Sequence, residues 1–237
     1  MQNQSEFKDY NFEGSVINTL LVILAYNTYH QSFYLNMIGN EMFLDSAVLK
    51  ENVISNAKKL DYLPKSKRSA KAKLQIRVYP DDAPNQIVIP KFAEFVTTYN
   101  NETFNFVTLE EYLIQPDNSG AFIKDIYVYE GTPLTYTFTV SDSTKFYELK
   151  DPDVDTSILT VYVKENSITT ERTLYSQVTD ITDVKGTSEV YFLQMNYKNN
   201  YELYFGDDVI GKKLSSGNVV EVEALISRGS DANDIAT

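Results

Sequence analysis

Ser15 to Phe43 reads SVINTLLVILAYNTYHQSFYLNMIGNEMF, and this stretch decides what kind of fold the chain can adopt. No proline interrupts it, Ser15 is placed to cap its start, and only Gly39 weakens it, by about 1 kcal/mol relative to alanine. The spacing predicts one helix from Ser15 to about Phe43, roughly 43 Å long at ~1.5 Å per residue. Its apolar residues nearly encircle it instead of forming one stripe, and such a helix must be covered from several sides. Asp45 to Leu60 supplies a second helix, with Asp45 or Ser46 as its cap and Val48, Leu49, Val53, Ile54, Ala57 and Leu60 turned inward. One short helix cannot wrap the first. Part of that surface is therefore expected to meet the β portion or another chain.

Outward from the helices the periodicity changes. Pro64 closes the second helix and a basic linker follows, with Lys65, Lys67, Arg68, Lys71 and Lys73. From Leu74 to Val78 apolar and polar residues alternate, which reads as a strand. Further strands are expected at 86–89, 103–107, 126–129, 134–140, 159–163, 174–178, 190–197, 201–205 and 219–226. Leu134, Tyr136, Phe138 and Val140 alternate with threonines, and Val220, Val222 and Ala224 with Glu221 and Glu223, so each has one buried and one solvated face. Lys198-Asn199-Asn200 is expected to turn a hairpin, and Ser215 to Asn218 another. Helices followed by short strands predict an α+β fold, an N-terminal helical hairpin with antiparallel β-rich modules after it. The expected division is a helical docking element at 1–64, a first β module at 65–150 and a second at 151–237, parted at the loop KDPDVDTS (Lys150 to Ser157).

Composition narrows the function classes. The 237 residues carry a formal charge of −12, which disfavours a general nucleic-acid binder because phosphates are repelled. Seven cations between Lys58 and Lys73 against the single Asp61 make a local +6, leaving −18 on the rest. That asymmetry suits either a solvated linker or docking against an acidic protein surface, ahead of a phosphate patch. With no cysteine there is no disulfide scaffold, thiolate zinc site or cysteine nucleophile. Met1 to Gly14 lacks the pattern of a signal peptide, and the longest apolar run is far short of the ~20 residues that cross a bilayer. Eighteen tyrosines and thirteen phenylalanines favour strands and aromatic contact surfaces.

Candidate chemistry is thin. His30 is the only histidine, so neither a Ser-His-Asp triad nor a multi-histidine metal site can be built, and a structural or interface role is expected. Asp151, Asp153 and Asp155 open like a calcium loop, but Thr156 and Tyr162 stand where that loop needs Gly and Glu. No metal or cofactor follows. Glu110-Glu111 and Asp207-Asp208 are adjacent acids, whereas a glycosidase needs two carboxylates facing each other across a sugar. Gly206 to Gly211 lacks the lysine and hydroxyl of a phosphate loop and reads as a tight turn. The chain is therefore not expected to be an enzyme or to take a small-molecule substrate. The stripe Tyr26, Tyr29, Phe33, Tyr34, Met37 and Met42 fits either an intramolecular core or an interchain bundle, with tyrosine density favouring contact surfaces.

Several stretches resemble one family. Asn11 to Ser66, Ile87 to Thr98 (IVIPKFAEFVTT), Val128 to Val140 (VYEGTPLTYTFTV) and Tyr201 to Asn233 are similar to the baseplate wedge subunit of contractile-tailed bacteriophages, within the baseplate J-like group. The resemblance implies a scaffold that associates with copies of itself and with other wedge proteins in a ring around the tail hub. It further implies N-terminal helices bundled with neighbouring chains, a β body, no catalytic residues, assembly in the host cytoplasm and residence in the virion tail baseplate. Family members are considerably longer, so the chain is expected to be an N-proximal piece. The expected interface residues are Tyr26, Tyr29, His30, Phe33, Tyr34, Met37, Met42 and Phe43, with no nucleic acid or membrane as partner. A competing reading is a carbohydrate- or receptor-binding β module using Tyr127, Tyr129 and Tyr191.

Overall fold

Ser15 does cap the long helix: its Oγ accepts the Asn18 amide at 3.1 Å, and helix α1 runs Val16–Glu41. The structure is a computed structural model describing residues 15–60, 62–82, 84–117, 120–196, 198–233 and 235. It divides into two units, 1–62 and 63–237. In the first, α1 passes through Gly39 without a break, and nothing lies within 4 Å of where a Cβ would stand, so no close helix contact is made there. Helix α2 is Lys50–Lys58, shorter than the expected 45–60. Its cap also differs. Ser46 Oγ is spent on the Asn40 carbonyl (2.6 Å), and the Glu41 carboxylate reaches across to take the amides of Val48 (3.0 Å) and Leu49 (3.3 Å) and the Asn52 side chain (2.8 Å). These hydrogen bonds, the Asn52 amide first, hold the Glu41 carboxyl below its ordinary range. Of the residues expected to turn inward, Ile54 and Ala57 are buried, whereas Val48, Leu49 and Leu60 are exposed.

The second unit is built of strands. A four-stranded antiparallel sheet contains β1 (Lys71–Val78), β3 (Glu94–Tyr99), β4 (Glu102–Val107) and β6 (Phe122–Glu130), in the order β1-β6-β4-β3. A separate ribbon pairs β2 (Ile87–Ile89) with β5 (Tyr112–Ile114). The seven-stranded sheet holds β7 (Thr132–Thr139), β8 (Tyr147–Leu149), β9 (Thr160–Lys164), β10 (Thr173–Gln177), β11 (Val190–Met195), β12 (Tyr201–Phe205) and β13 (Val219–Ile226). Their order is β7-β13-β9-β10-β11-β12-β8. Among the described residues all strand pairings are antiparallel except β10 with β11, where Ser176 meets Val190 and Gln177 meets Tyr191. The fold is thus α+β with a helical N-terminal part, as expected. Beyond the expected strands lie β3, β5 and β8, two of them only three residues long.

Turn chemistry explains the registers. Asn199 adopts φ +64 between β11 and β12, and the Asn196 carboxamide accepts the Lys198 and Asn200 amides, so the expected hairpin forms. Asn100 and Asn101 take φ of +49 and +68 between β3 and β4, the pair of left-handed residues a two-residue hairpin turn requires. Ser215 to Asn218 also turns tightly, with Gly217 at φ +92. It is not a hairpin, because β13 pairs with β7 and β9 and not with the preceding strand.

The core of the four-stranded sheet gathers Phe104, Phe106, Ile126 and Val128, and the short 3-10 turn Gly229–Ala232 closes it with Ala232. In the larger sheet Val161, Leu149, Leu203, Val220 and Val222 are fully buried. Two buried carboxylates stitch loops to these sheets. Glu130 accepts from the Ser227 hydroxyl (2.7 Å) and the Arg228 amide (3.2 Å), and Asp155 from the Ser69 amide (2.7 Å) and from Ser157. The expected linker is pinned as a result. Tyr201 Oη donates to the Pro64 carbonyl (3.0 Å), Ser66 Oγ meets Thr156, Lys67 pairs with Asp153 (2.8 Å), and the Glu130 amide donates to the Ala70 carbonyl.

Candidate assembly interface

None of the 26 residues of α1 is buried. Between Val16 and Asn40 the helix carries no acid, lysine or arginine, so neither packing nor fixed charge accounts for its surface. Large apolar side chains stand in water along its whole length, with Tyr29 at 67% and Phe33 at 56% of full exposure. Two chemically different faces emerge from the 3.6-residue period. Val22, Tyr26, Tyr29, Phe33 and Met37 follow one another at three- and four-residue spacings as an aromatic stripe. Val16, Leu20, Ile23, Leu24 and Ile38 form an aliphatic one, interrupted by Asn27 and Gln31.

The aromatic stripe is partly ordered by itself. The half-buried His30 ring lies 4.3 Å from Tyr26 in an edge-to-face contact, with Tyr29 at 5.8 Å and Tyr34 at 6.2 Å, and Phe33 packs edge-on to Tyr34 at 5.9 Å. Such aromatic contacts fix side chains in place before any partner arrives, which lowers the ordering cost of docking. Met42 and Phe43, just past the helix end, are also exposed. All eight expected interface residues therefore lie on one helix and its C-terminal turn, and seven of them are solvent-exposed.

The other candidates resolve differently. Lys67 and Lys73 form ion pairs with Asp153 and Asp125 (2.8 and 2.7 Å), and Lys71 Nζ sits 4.1 Å from the centre of the Tyr127 ring. Lys65 and Arg68 are exposed. Three of the five cations thus face their own chain. Among the calcium-like acids, Asp153 takes Lys67, Asp155 caps the turn at Ser157, and Asp151 accepts the Asp153 amide, so they do not converge. Among the described residues no group of acids and histidine could hold a metal ion. Glu110 and Glu111 are exposed, and Asp207 is engaged by the amides of Ile210 and Val209, which hold its carboxyl below the ordinary range. Tyr191 overturns part of the glycan-binding expectation: it is 3% exposed, and burial pushes its hydroxyl up to about 12. It offers no face to a sugar. Tyr127 is exposed but lies under Lys71, and Tyr129 is half-buried.

Missed by pattern reading was a polar cluster on the larger sheet. Glu223 receives Lys91 and Arg172 (2.9 Å), and Glu221 receives Lys164 (2.6 Å), although these acids were expected on a solvated face. Burial raises the Glu223 carboxyl, yet the two cations outweigh it and leave it below the ordinary range. No described helix is long and apolar enough to cross a membrane.

Two comparisons with known proteins bear on this geometry. Residues 1–62 match the family described as baseplate wedge protein gp6-like, helical domain, a span that ends where the first unit ends. Over 252 aligned residues the chain is 27% identical to the baseplate wedge protein gp6 of Enterobacteria phage T4. That match covers 98% of this chain and 37% of the T4 protein, so the chain spans little more than a third of that relative's length. The resemblance read from the four quoted stretches is borne out.

Proposed function

We propose that the chain is a structural, non-enzymatic subunit of a phage tail baseplate wedge, with residues 1–64 as its docking element. One observation carries the reading: a 26-residue helix with no buried residue and apolar side chains around its circumference. Apolar surface of that extent marks a contact that is completed by other chains. Tyr26, Tyr29, His30, Phe33, Tyr34, Met37, Met42 and Phe43 serve as anchors, since aromatic side chains dominate the energy of most interfaces. Because residues 16–40 carry no fixed charge, burying them incurs no desolvation penalty of ions. The occupants are protein helices, from other wedge proteins and from copies of the chain, as the likeness to the T4 wedge protein supports. The β strands of 65–150 and 151–237 form the body. Assembly in the host cytoplasm and residence in the virion baseplate complete the proposal, with no role for nucleic acid, membrane or small-molecule substrate.

The test is solution behaviour. The purified chain is expected to self-associate or aggregate, and to become soluble and of defined mass when co-expressed with a wedge partner. A chain that stays cleanly monomeric by light scattering at high concentration contradicts the proposal.

A further inference from the structure

Strand β1 ends the four-stranded sheet and pairs with β6 without proline or bulge, from Lys71 opposite Tyr129 to Val78 opposite Phe122. Two hydrogen bonds fix which way its backbone faces. The Glu130 amide donates to the Ala70 carbonyl (2.8 Å), whereas the Tyr127 amide turns away from β1 and donates to the Tyr112 hydroxyl (3.2 Å). Bonding groups alternate along an antiparallel ladder. Ala72, Leu74, Ile76 and Val78 therefore bond to β6, and the N–H and C=O groups of Lys71, Lys73, Gln75 and Arg77 point out from the free edge. An edge of this length and straightness is a template for one more strand.

The side chains of β1 form two lanes. Ala72, Leu74 and Ile76 pack against the core cluster yet stay only half-buried, and Val78 is 36% exposed, since no strand flanks them on the open side. On the outer lane Lys71, Lys73, Gln75 and Arg77 are all exposed. Exposed lysines commonly keep a free edge from pairing. Here they guard one lane and leave the apolar one open. The nearby acids lie off the edge: Lys73 pairs with Asp125 on β6, Glu110 stands beside Lys71, and Asp81 and Asp82 come after the strand's end. Arg77 has no ion pair among the described residues. A strand added at this edge lies ~4.8 Å from β1 and about twice that from β6, close to the screening length of ~8–10 Å, so it meets the cations of β1 ahead of Asp125. Lys71 is set in advance, its Nζ 4.1 Å from the centre of the Tyr127 ring.

We propose that the β1 edge takes up an extended segment of a different protein, with acids at alternate positions beside Lys71, Lys73 and Arg77 and apolar residues beside Leu74, Ile76 and Val78. A second copy has no free strand of that chemistry among the described residues. Its acid-alternating strand is β13, with Glu221 and Glu223, and β7 and β9 pair with it on both sides. The contact gives the basic stretch after Pro64 a partner, and it does not rest on what covers α1.

The probe is a blocked, fluorescein-labelled peptide of alternating glutamate and valine, as long as β1, added to the full chain. Without peptide, amide exchange is expected to be fast at Lys73, Gln75 and Arg77 and slow at Leu74 and Ile76; saturating peptide is expected to slow the first three. Lys73→Glu with Arg77→Glu, checked for native melting, is expected to bind the peptide roughly tenfold more weakly, as two exposed ion pairs would supply, and to prefer a lysine–valine peptide. Gln75→Pro removes an outward N–H and no ladder bond, so it is expected to keep the melting behaviour and lose the peptide. Phe33→Ala is expected to bind the peptide as wild type does, which separates failure here from failure of α1 docking. No binding at millimolar peptide, equal binding of the lysine–valine peptide by wild type, or binding that leaves exchange at 73, 75 and 77 unchanged overturns the inference. So does displacement by single-stranded DNA or anionic vesicles as effective as by unlabelled peptide. Slowing of those three amides on raising chain concentration alone assigns the edge to a second copy and overturns it too.

Discussion

Replacing Phe33 by alanine separates folding from assembly. Phe33 is 56% exposed on a helix that buries nothing, so the isolated chain has almost no packing to lose there. Exposed positions usually change stability by less than ~0.5 kcal/mol, and alanine is the better helix former. In a docked helix the balance differs. A phenylalanine offers ~200 Å² in total, so roughly 100 Å² remains to be covered, worth about 2.5 kcal/mol at ~25 cal/mol per Å². That corresponds to an affinity about 70-fold weaker for one partner contact. The assay is paired: thermal melting of the isolated variant, and isothermal titration of wild type and variant with a co-purified wedge partner. Phe122, which is 1% exposed in β6, is the opposite control, and its alanine variant is expected to lose about 3–5 kcal/mol of folding stability. The reasoning is refuted if Phe33→Ala destabilises the isolated chain by several kcal/mol, or if it leaves association unchanged.

Three further outcomes follow from named contacts. Because the folded Glu41 carboxyl is held below its ordinary range, its support of the α1–α2 corner is present above the ordinary glutamate pKa and lost as pH falls through the folded value. Protection of the Val48 and Leu49 amides, relative to their intrinsic exchange at each pH, should therefore fall on acidification in wild type and be lower and independent of pH in Glu41→Gln; wild-type protection that ignores pH contradicts this. Gly39→Ala, in a continuous helix with open space at the Cβ position, is expected to stabilise the isolated chain by about 0.5–1 kcal/mol in urea unfolding, and a loss of stability would show an unrecognised contact there. Asp155→Ala removes the buried acceptor of the Ser69 and Ser157 amides and is expected to cost about 3 kcal/mol by the same measurement; a change below ~1 kcal/mol would mean water replaces it.

How much of this was legible in the sequence depends on the range of the forces involved. The α1 cap at Ser15 and the apolar encirclement of the helix are local, and both read correctly. The cap of α2 is not local, because Glu41 reaches residues seven and eight positions on, past the nearer Asp45 and Ser46. Strands β5 and β8 have three residues each, too few to show a period, while the Asn100-Asn101 turn carried a hairpin signal that was overlooked. Strand order rests on pairings between distant segments, such as β7 with β13, and no periodicity encodes it. The same limit explains Tyr191: alternation says that a strand has two faces, not which one the core takes. For α1, an excess of apolar residues over available cover predicted exposure, whereas the identity of the cover lies outside one chain.

The pinned stretch from Pro64 to Ala70 has a mechanical consequence. A pull applied at Leu63 does not first straighten a slack tether. It loads the Tyr201 hydroxyl at Pro64, then Thr156 at Ser66 and the buried Asp155 at Ser69, so tension enters the larger sheet through β12 and the loop before β9. Residues 64–70 behave as a splice in that load path, carrying force directly into the folded strands.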